Sequence, residues 1–109
     1  MSLKVTELGK DMLGAFMTVL KGKAPEIKQY AETESKKLAQ TFLMIEKLHL
    51  SGTITKEEAK LHMDIQKNAT RSVLLSLQGL GLLAVEQAIN AALDVVKVAV
   101  NKAIGFSLI

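Results

Sequence analysis

The chain has 109 residues, 49% of them hydrophobic, with a net charge of +3 and no cysteine. This length corresponds to one domain, residues 1–109, that can bury a core without disulfides. The missing thiols exclude disulfide bonds, thiol catalysis and thiolate metal sites. The lysines are interspersed with acids instead of forming a basic stripe, so we expect no nucleic-acid partner. No signal sequence is recognisable at the N-terminus, and we therefore expect a cytoplasmic protein.

The composition predicts an all-α fold, because the sequence is rich in Leu, Ala, Val, Ile and Met and contains one proline. Apolar residues recur at helical spacing over residues 4–21, and Lys21 with Gly22 is a suitable helix end. Pro25 and Glu26 are typical of a helix start, so a second helix is predicted over residues 26–49.

The strongest local signal is Thr55 followed three residues later by Glu58, which predicts a capping box at the start of a third helix. The short turn before Thr55 predicts that this helix and the second one form an antiparallel hairpin. We expect the third helix to run over residues 55–104, continuous or kinked at Gly79 and Gly81, because leucines surround these glycines where a turn would carry polar residues. The alternative is a reversing turn at residues 79–81, which gives a four-helix bundle.

The segment over residues 84–104 is apolar on most of its circumference, and its polar residues form one narrow stripe. A helix of this kind is covered on more than one side. The polar first half of the second helix offers little cover, so we expect a homo-oligomer, a dimer or a tetramer, in which these segments pack side by side. The predicted interface consists of Val85, Ile89, Ala92, Leu93, Val96, Ala99, Val100 and Ile104.

The turn between the second and third helices shares part of the pattern of a calcium-binding loop. Gly52 and Glu58 have the spacing of the glycine and the last glutamate of an EF-hand loop. Lys47 and His49, however, stand where that loop needs carboxylate or amide ligands. We therefore expect no calcium at this turn.

Glu46 and His49 have the Glu-x-x-His spacing with which one helix contributes to a di-metal site in some bundles. The chain has no second copy of this motif. We therefore predict no metal and no other cofactor, and we predict that the protein is not an enzyme. An enzyme that uses Glu46, His49 and His62 is the alternative.

The prediction for function is thus a non-enzymatic helical protein that acts through self-assembly or protein–protein interaction. The alternative from another class is a membrane-surface-binding or membrane-active helical protein, because residues 72–85 carry no charge. This uncharged segment is shorter than the roughly 20 residues that span a bilayer. Glu86 and Asn90, which follow it, would need polar partners in lipid.

Overall fold

The computed structural model describes residues 3–21, 26–77 and 79–109. These residues form four helices and no strand: α1 (Val5–Leu20), α2 (Ile27–Leu50), α3 (Lys56–Leu75) and α4 (Leu82–Ile104). The predicted all-α bundle is confirmed, and both ends of α1 and α2 lie within one residue of the predicted bounds. The predicted end signal at Gly22 and start signal at Pro25 lie outside the described residues.

The predicted continuous helix over residues 55–104 is wrong, because the chain reverses between α3 and α4. Gly79 has a φ of 94°, in the left-handed region that glycine adopts without strain. Leu77 and Leu80 are 8% and 9% exposed, so the leucines of this turn close the end of the core. The turn thus carries leucines, two of them buried, where polar residues are usual, and this is why the sequence pattern resembled an uninterrupted helix.

The predicted capping box is present. The Glu58 amide donates to the Thr55 hydroxyl at 3.1 Å, and the Thr55 amide donates to the Glu58 carboxylate at 2.9 Å. These two bonds satisfy amides that the first turn of α3 would otherwise leave without acceptors. The predicted hairpin of α2 and α3 follows, and Thr41 on α2 contacts Gln66 on α3 through a 3.5 Å hydrogen bond.

The bundle measures 42 × 22 × 18 Å. α1 packs against α2 and α4, and α3 closes the other side by packing against the same two helices. Arg71 near the end of α3 binds Glu86 near the start of α4, which fixes these two helices in antiparallel orientation. α3 is therefore antiparallel to α4, as it is to α2 across the short turn before Thr55.

The core receives large side chains from α1 and α2 as well as from α4. Met12, Phe16 and Leu20 are fully buried on α1. Leu38, Phe42 and Ile45 are fully buried on α2. Burial of such a side chain stabilises the fold by about 1.5–3 kcal/mol, so these two helices supply the cover that α4 requires within a single chain.

Candidate interaction surface on the fourth helix

The structure places seven of the eight predicted interface residues inside the core of one chain. Each of the seven is at most 7% exposed, and only Ala99 is exposed. In this fold these seven side chains have no surface to offer a second copy, because α1, α2 and α3 already cover them. They form the inward face of α4: Val85, Ile89, Ala92, Leu93, Val96, Val100 and Ile104.

A different face of α4 is apolar and uncovered. Val98 is 80% exposed and Val95 is 54% exposed. Ala84 and Ala91 are half-buried on the same side of the helix, and Lys102 continues the line. We call these five residues the α4 outer stripe.

The spacing of the α4 outer stripe is that of a helix–helix seam. Ala84, Ala91 and Val98 are seven residues apart, and Val95 and Lys102 lie four residues beyond Ala91 and Val98. Alternating steps of three and four residues keep side chains on one line along a helix. The two alanines would let a second backbone approach closely, whereas the valines supply most of the apolar area.

The two flanks of the stripe differ. Gln87 and Asp94 are exposed along one flank, and Ala99 is exposed on the other. Leu3, Ala99 and Lys102 line a shallow hollow together with Ala103, so the start of α1 lies beside the C-terminal half of the stripe. A partner on α4 would therefore also meet the beginning of α1.

A groove of about 400 Å³ lies between α3 and α4, next to the flank of the stripe that carries Asp94. Its lining alternates acids and lysines, Asp64 and Lys67 from α3 with Asp94 and Lys97 from α4. The C-terminal tail closes one end, and Leu108 is 8% exposed there. Opposite charges alternate along this groove, and it has no excess of either sign to attract a charged ligand.

The tail is held by one side chain of α4. The Asn101 side-chain oxygen accepts from the amides of Leu108 and Ile109 at 2.9 and 3.1 Å, and its amide nitrogen donates to the Ile109 carbonyl at 3.0 Å. Gly105, with a φ of 97°, ends α4 and lets the chain fold back. Phe106 then packs edge-on against the His49 ring, with 4.8 Å between ring centroids.

Glu46, His49 and His62 differ in their surroundings. Glu46 is fully buried, and the half-buried His49 packs on Phe106. His62 is half-buried on α3. Across residues 3–21, 26–77 and 79–109, no three His, Cys, Asp or Glu side chains are grouped closely enough to hold a metal ion.

Some of the buried polar groups near the contact of α2 and α3 are paired within their own helix. Glu34 is 1% exposed and forms an ion pair with Lys37 at 3.3 Å, one turn along the same helix. Gln66 donates to the buried Thr70 hydroxyl at 3.2 Å. These contacts pair part of the polar surface of the hairpin, while the buried Glu34 Oε1 and Ser35 Oγ atoms have no hydrogen-bond partner among the described residues.

Other exposed apolar side chains lie elsewhere on the bundle. Leu61 and Ile65 are 60% and 57% exposed on α3. Leu75, Leu82 and Leu83 are 38%, 58% and 72% exposed around the turn between α3 and α4. Within the described part of the chain, no helix is long and apolar enough to cross a membrane.

The sequence interpretation missed Val95 and Val98 because they belong to the same apolar segment as the core residues. The predicted interface followed the line of larger apolar residues through Ile89, Val96 and Val100, which the core of the same chain takes. The seven-residue spacing of Ala84, Ala91 and Val98 was the available signal that α4 carries two apolar lines, one for its own core and one outside it.

Comparison with known proteins gives no assignment. No protein family, no curated protein and no solved structure matches the chain. The physical properties of the chain itself are therefore the basis of the proposals below.

Proposed function

We propose that this protein acts through non-enzymatic self-association, in which two copies pair through the α4 outer stripe. The observation that carries the proposal is the pair Val95 and Val98, 54% and 80% exposed on a helix whose opposite face is fully buried. Single exposed valines are common on soluble proteins. A line of apolar residues at seam spacing on the outside of a complete bundle is the feature that favours a second helix as its occupant.

The expected size of the contact supports a dimer that also involves α1. From Ala84 to Lys102 the stripe extends about 27 Å along the helix axis. A helix pair of this length alone gives a small contact, and a stable interface buries at least about 1,000 Å² in total. The hollow formed by Leu3 and Ala99 continues the stripe onto the start of α1 and supplies additional area.

Two valines of α4 provide a matched test of this proposal. Val96 is 1% exposed and Val98 is 80% exposed, and the two are close in sequence on the same helix. A glutamate at position 96 leaves a charge in the core, and we expect the fold to be lost. A glutamate at position 98 stays in water in the monomer, and we expect a folded chain that no longer dimerises.

The measurement is sedimentation velocity at micromolar concentration, with circular dichroism to confirm folding. Asn90→Glu is the control, because Asn90 is exposed on α4 away from the stripe, and this variant should dimerise like the wild type. A Val98→Glu variant that is folded and remains a dimer contradicts the proposal.

A second candidate function, membrane-surface binding, is supported by a separate observation. Leu75, Leu82 and Leu83 are all exposed around one turn at one end of the bundle. Apolar side chains at a protein tip can enter the headgroup region of a bilayer without a spanning helix. Flotation with anionic liposomes tests this candidate: it requires that the wild type floats and that a Leu82→Ser, Leu83→Ser double variant stays at the bottom.

A further inference from the structure

We propose that the two copies pair with their α4 helices antiparallel, and that Lys102 of each copy reaches Asp94 of the other. This inference rests on the proposed self-association and adds the direction of pairing and the residues that select it. It follows from where the charged residues stand relative to the α4 outer stripe.

The register follows from the valines. An antiparallel two-fold pair brings the two largest apolar residues of the stripe together when Val95 of one copy faces Val98 of the other. In this register the paired part of the stripe runs from Ala91 to Lys102, and Ala84 lies beyond the end of the second α4. Ala91 lies four residues before Val95, and Lys102 lies four residues after Val98. The same pairing therefore places Ala91 of each copy opposite Lys102 of the other copy, so the dimer contains this contact twice.

The Lys102 side chain can be accommodated in this arrangement. The small side chain of Ala91 leaves room for the four-carbon stem of Lys102, which can lie along the second helix while its ammonium group remains in water. Asp94 follows Ala91 by three residues, about 4.5 Å along the axis, on the flank of the stripe. Its carboxylate is exposed, and it lies within the reach of a lysine that starts opposite Ala91.

A parallel pair places the same charges badly. In that arrangement each residue of the stripe faces its own copy, so Lys102 would meet Lys102 at an apolar seam, and Asp94 of the other copy would lie eight residues away, about 12 Å along the axis. Like charges facing one another at a seam disfavour an arrangement, and opposite charges across it set orientation more than affinity. The charges thus favour the antiparallel dimer.

Cysteine cross-linking tests the direction directly, because the native chain has no cysteine. Two single variants, Ala91→Cys and Lys102→Cys, are mixed in equal amounts, allowed to exchange and oxidised, and the products are weighed by mass spectrometry. In the antiparallel dimer, positions 91 and 102 of different copies are adjacent, and two copies of either position are about 16 Å apart along the axis. Disulfides need Cα atoms within about 7 Å, so only the mixed covalent dimer should form.

The possible results distinguish a failure of the antiparallel register from a failure of the proposed self-association. Covalent dimers of Ala91→Cys with itself and of Lys102→Cys with itself indicate a parallel pair and overturn the inference, while self-association stands. A wild type that sediments as a dimer, with no cross-link in the mixture, also overturns the register. A wild type that sediments as a monomer removes both proposals.

Charge reversal provides a second readout. Asp94→Lys places a lysine beside Lys102 of the other copy, and we expect the dissociation constant to rise by about three- to tenfold. The double variant Asp94→Lys, Lys102→Asp restores opposite charges at both contacts and should return the constant to near the wild-type value. Equal dissociation constants for all three chains contradict the assignment of this pair.

Discussion

Arg71 on α3 binds both carboxylate oxygens of Glu86 on α4, through its Nε atom and through Nη2, the latter at 3.5 Å. This pair spans the turn that reverses the chain, fifteen residues apart in sequence. The hydrogen bond from Arg71 lowers the pKa of the Glu86 carboxyl group below its ordinary value of 4.5. The same bond raises the pKa of the Arg71 guanidinium group.

The first prediction is that this pair stabilises the fold in a pH-dependent way. Because the pKa of Glu86 is lower in the folded state, its contribution is present above pH 4.5 and is lost as the pH falls through the lowered pKa. Glu86→Gln should therefore unfold at a lower temperature than the wild type at pH 7, and the difference should close in acid. Thermal unfolding at several pH values measures this, with Glu32→Gln, at an exposed acid on α2, as the control.

The second prediction distinguishes the two glycines of the turn. Gly79→Ala forces a side chain into the left-handed region, where its φ is 94°, and should lower the free energy of unfolding by about 1–2 kcal/mol. Gly81 caps α4 with a φ of −99° and no side-chain bond. Gly81→Ser should be neutral or stabilise the fold by a few tenths of a kcal/mol, since it adds a hydroxyl acceptor at the helix start. Urea unfolding measures the free energy of unfolding of both variants. Equal changes in this free energy would contradict a left-handed conformation at Gly79.

The third prediction concerns the capping box of α3. Thr55→Ala removes the acceptor of the Glu58 amide and should lower the free energy of unfolding by about 1 kcal/mol. Thr6→Ala is the matched control, because Thr6 is exposed on α1. If chemical denaturation gives the same midpoint for both variants, the cap does not contribute to stability.

The fourth prediction is that Asn101 holds the tail in place. Asn101→Ala removes three hydrogen bonds to Leu108 and Ile109 and should release the tail from the groove between α3 and α4. Hydrogen exchange at the amides of Leu108 and Ile109 should accelerate strongly, while the α2 amides keep their protection. Asn90→Ala, an asparagine on the same helix, should leave the tail amides unchanged.

The fold was predictable from sequence wherever a local signal decided the structure. Thr55 and Glu58 marked the start of α3 because a capping box acts within one turn of helix. The reversal at Gly79 was not predictable in the same way, because it depends on Leu77 and Leu80 finding room at the end of the core. Only the assembled bundle provides that room.

The sequence predicted a large apolar surface on α4, but it did not predict which face of this helix remains exposed. The sequence indicated that α4 has more apolar surface than one neighbour can cover, and the structure divides this surface between an inward face and the α4 outer stripe. Val96 and Val98 carry identical side chains, and composition cannot tell which one the core takes. That decision depends on α1, α2 and α3, which together cover the side of α4 that holds Ala92 and Val96.

The measurement that tests self-association most directly is the molar mass of the unmodified chain in sedimentation equilibrium, over a concentration range from micromolar to about 0.1 mM. The chain mass is 11.8 kDa. Self-association through the α4 outer stripe predicts a mass that rises to twice this value within that range. A mass that stays at 11.8 kDa throughout, in a fully folded sample, contradicts the proposal.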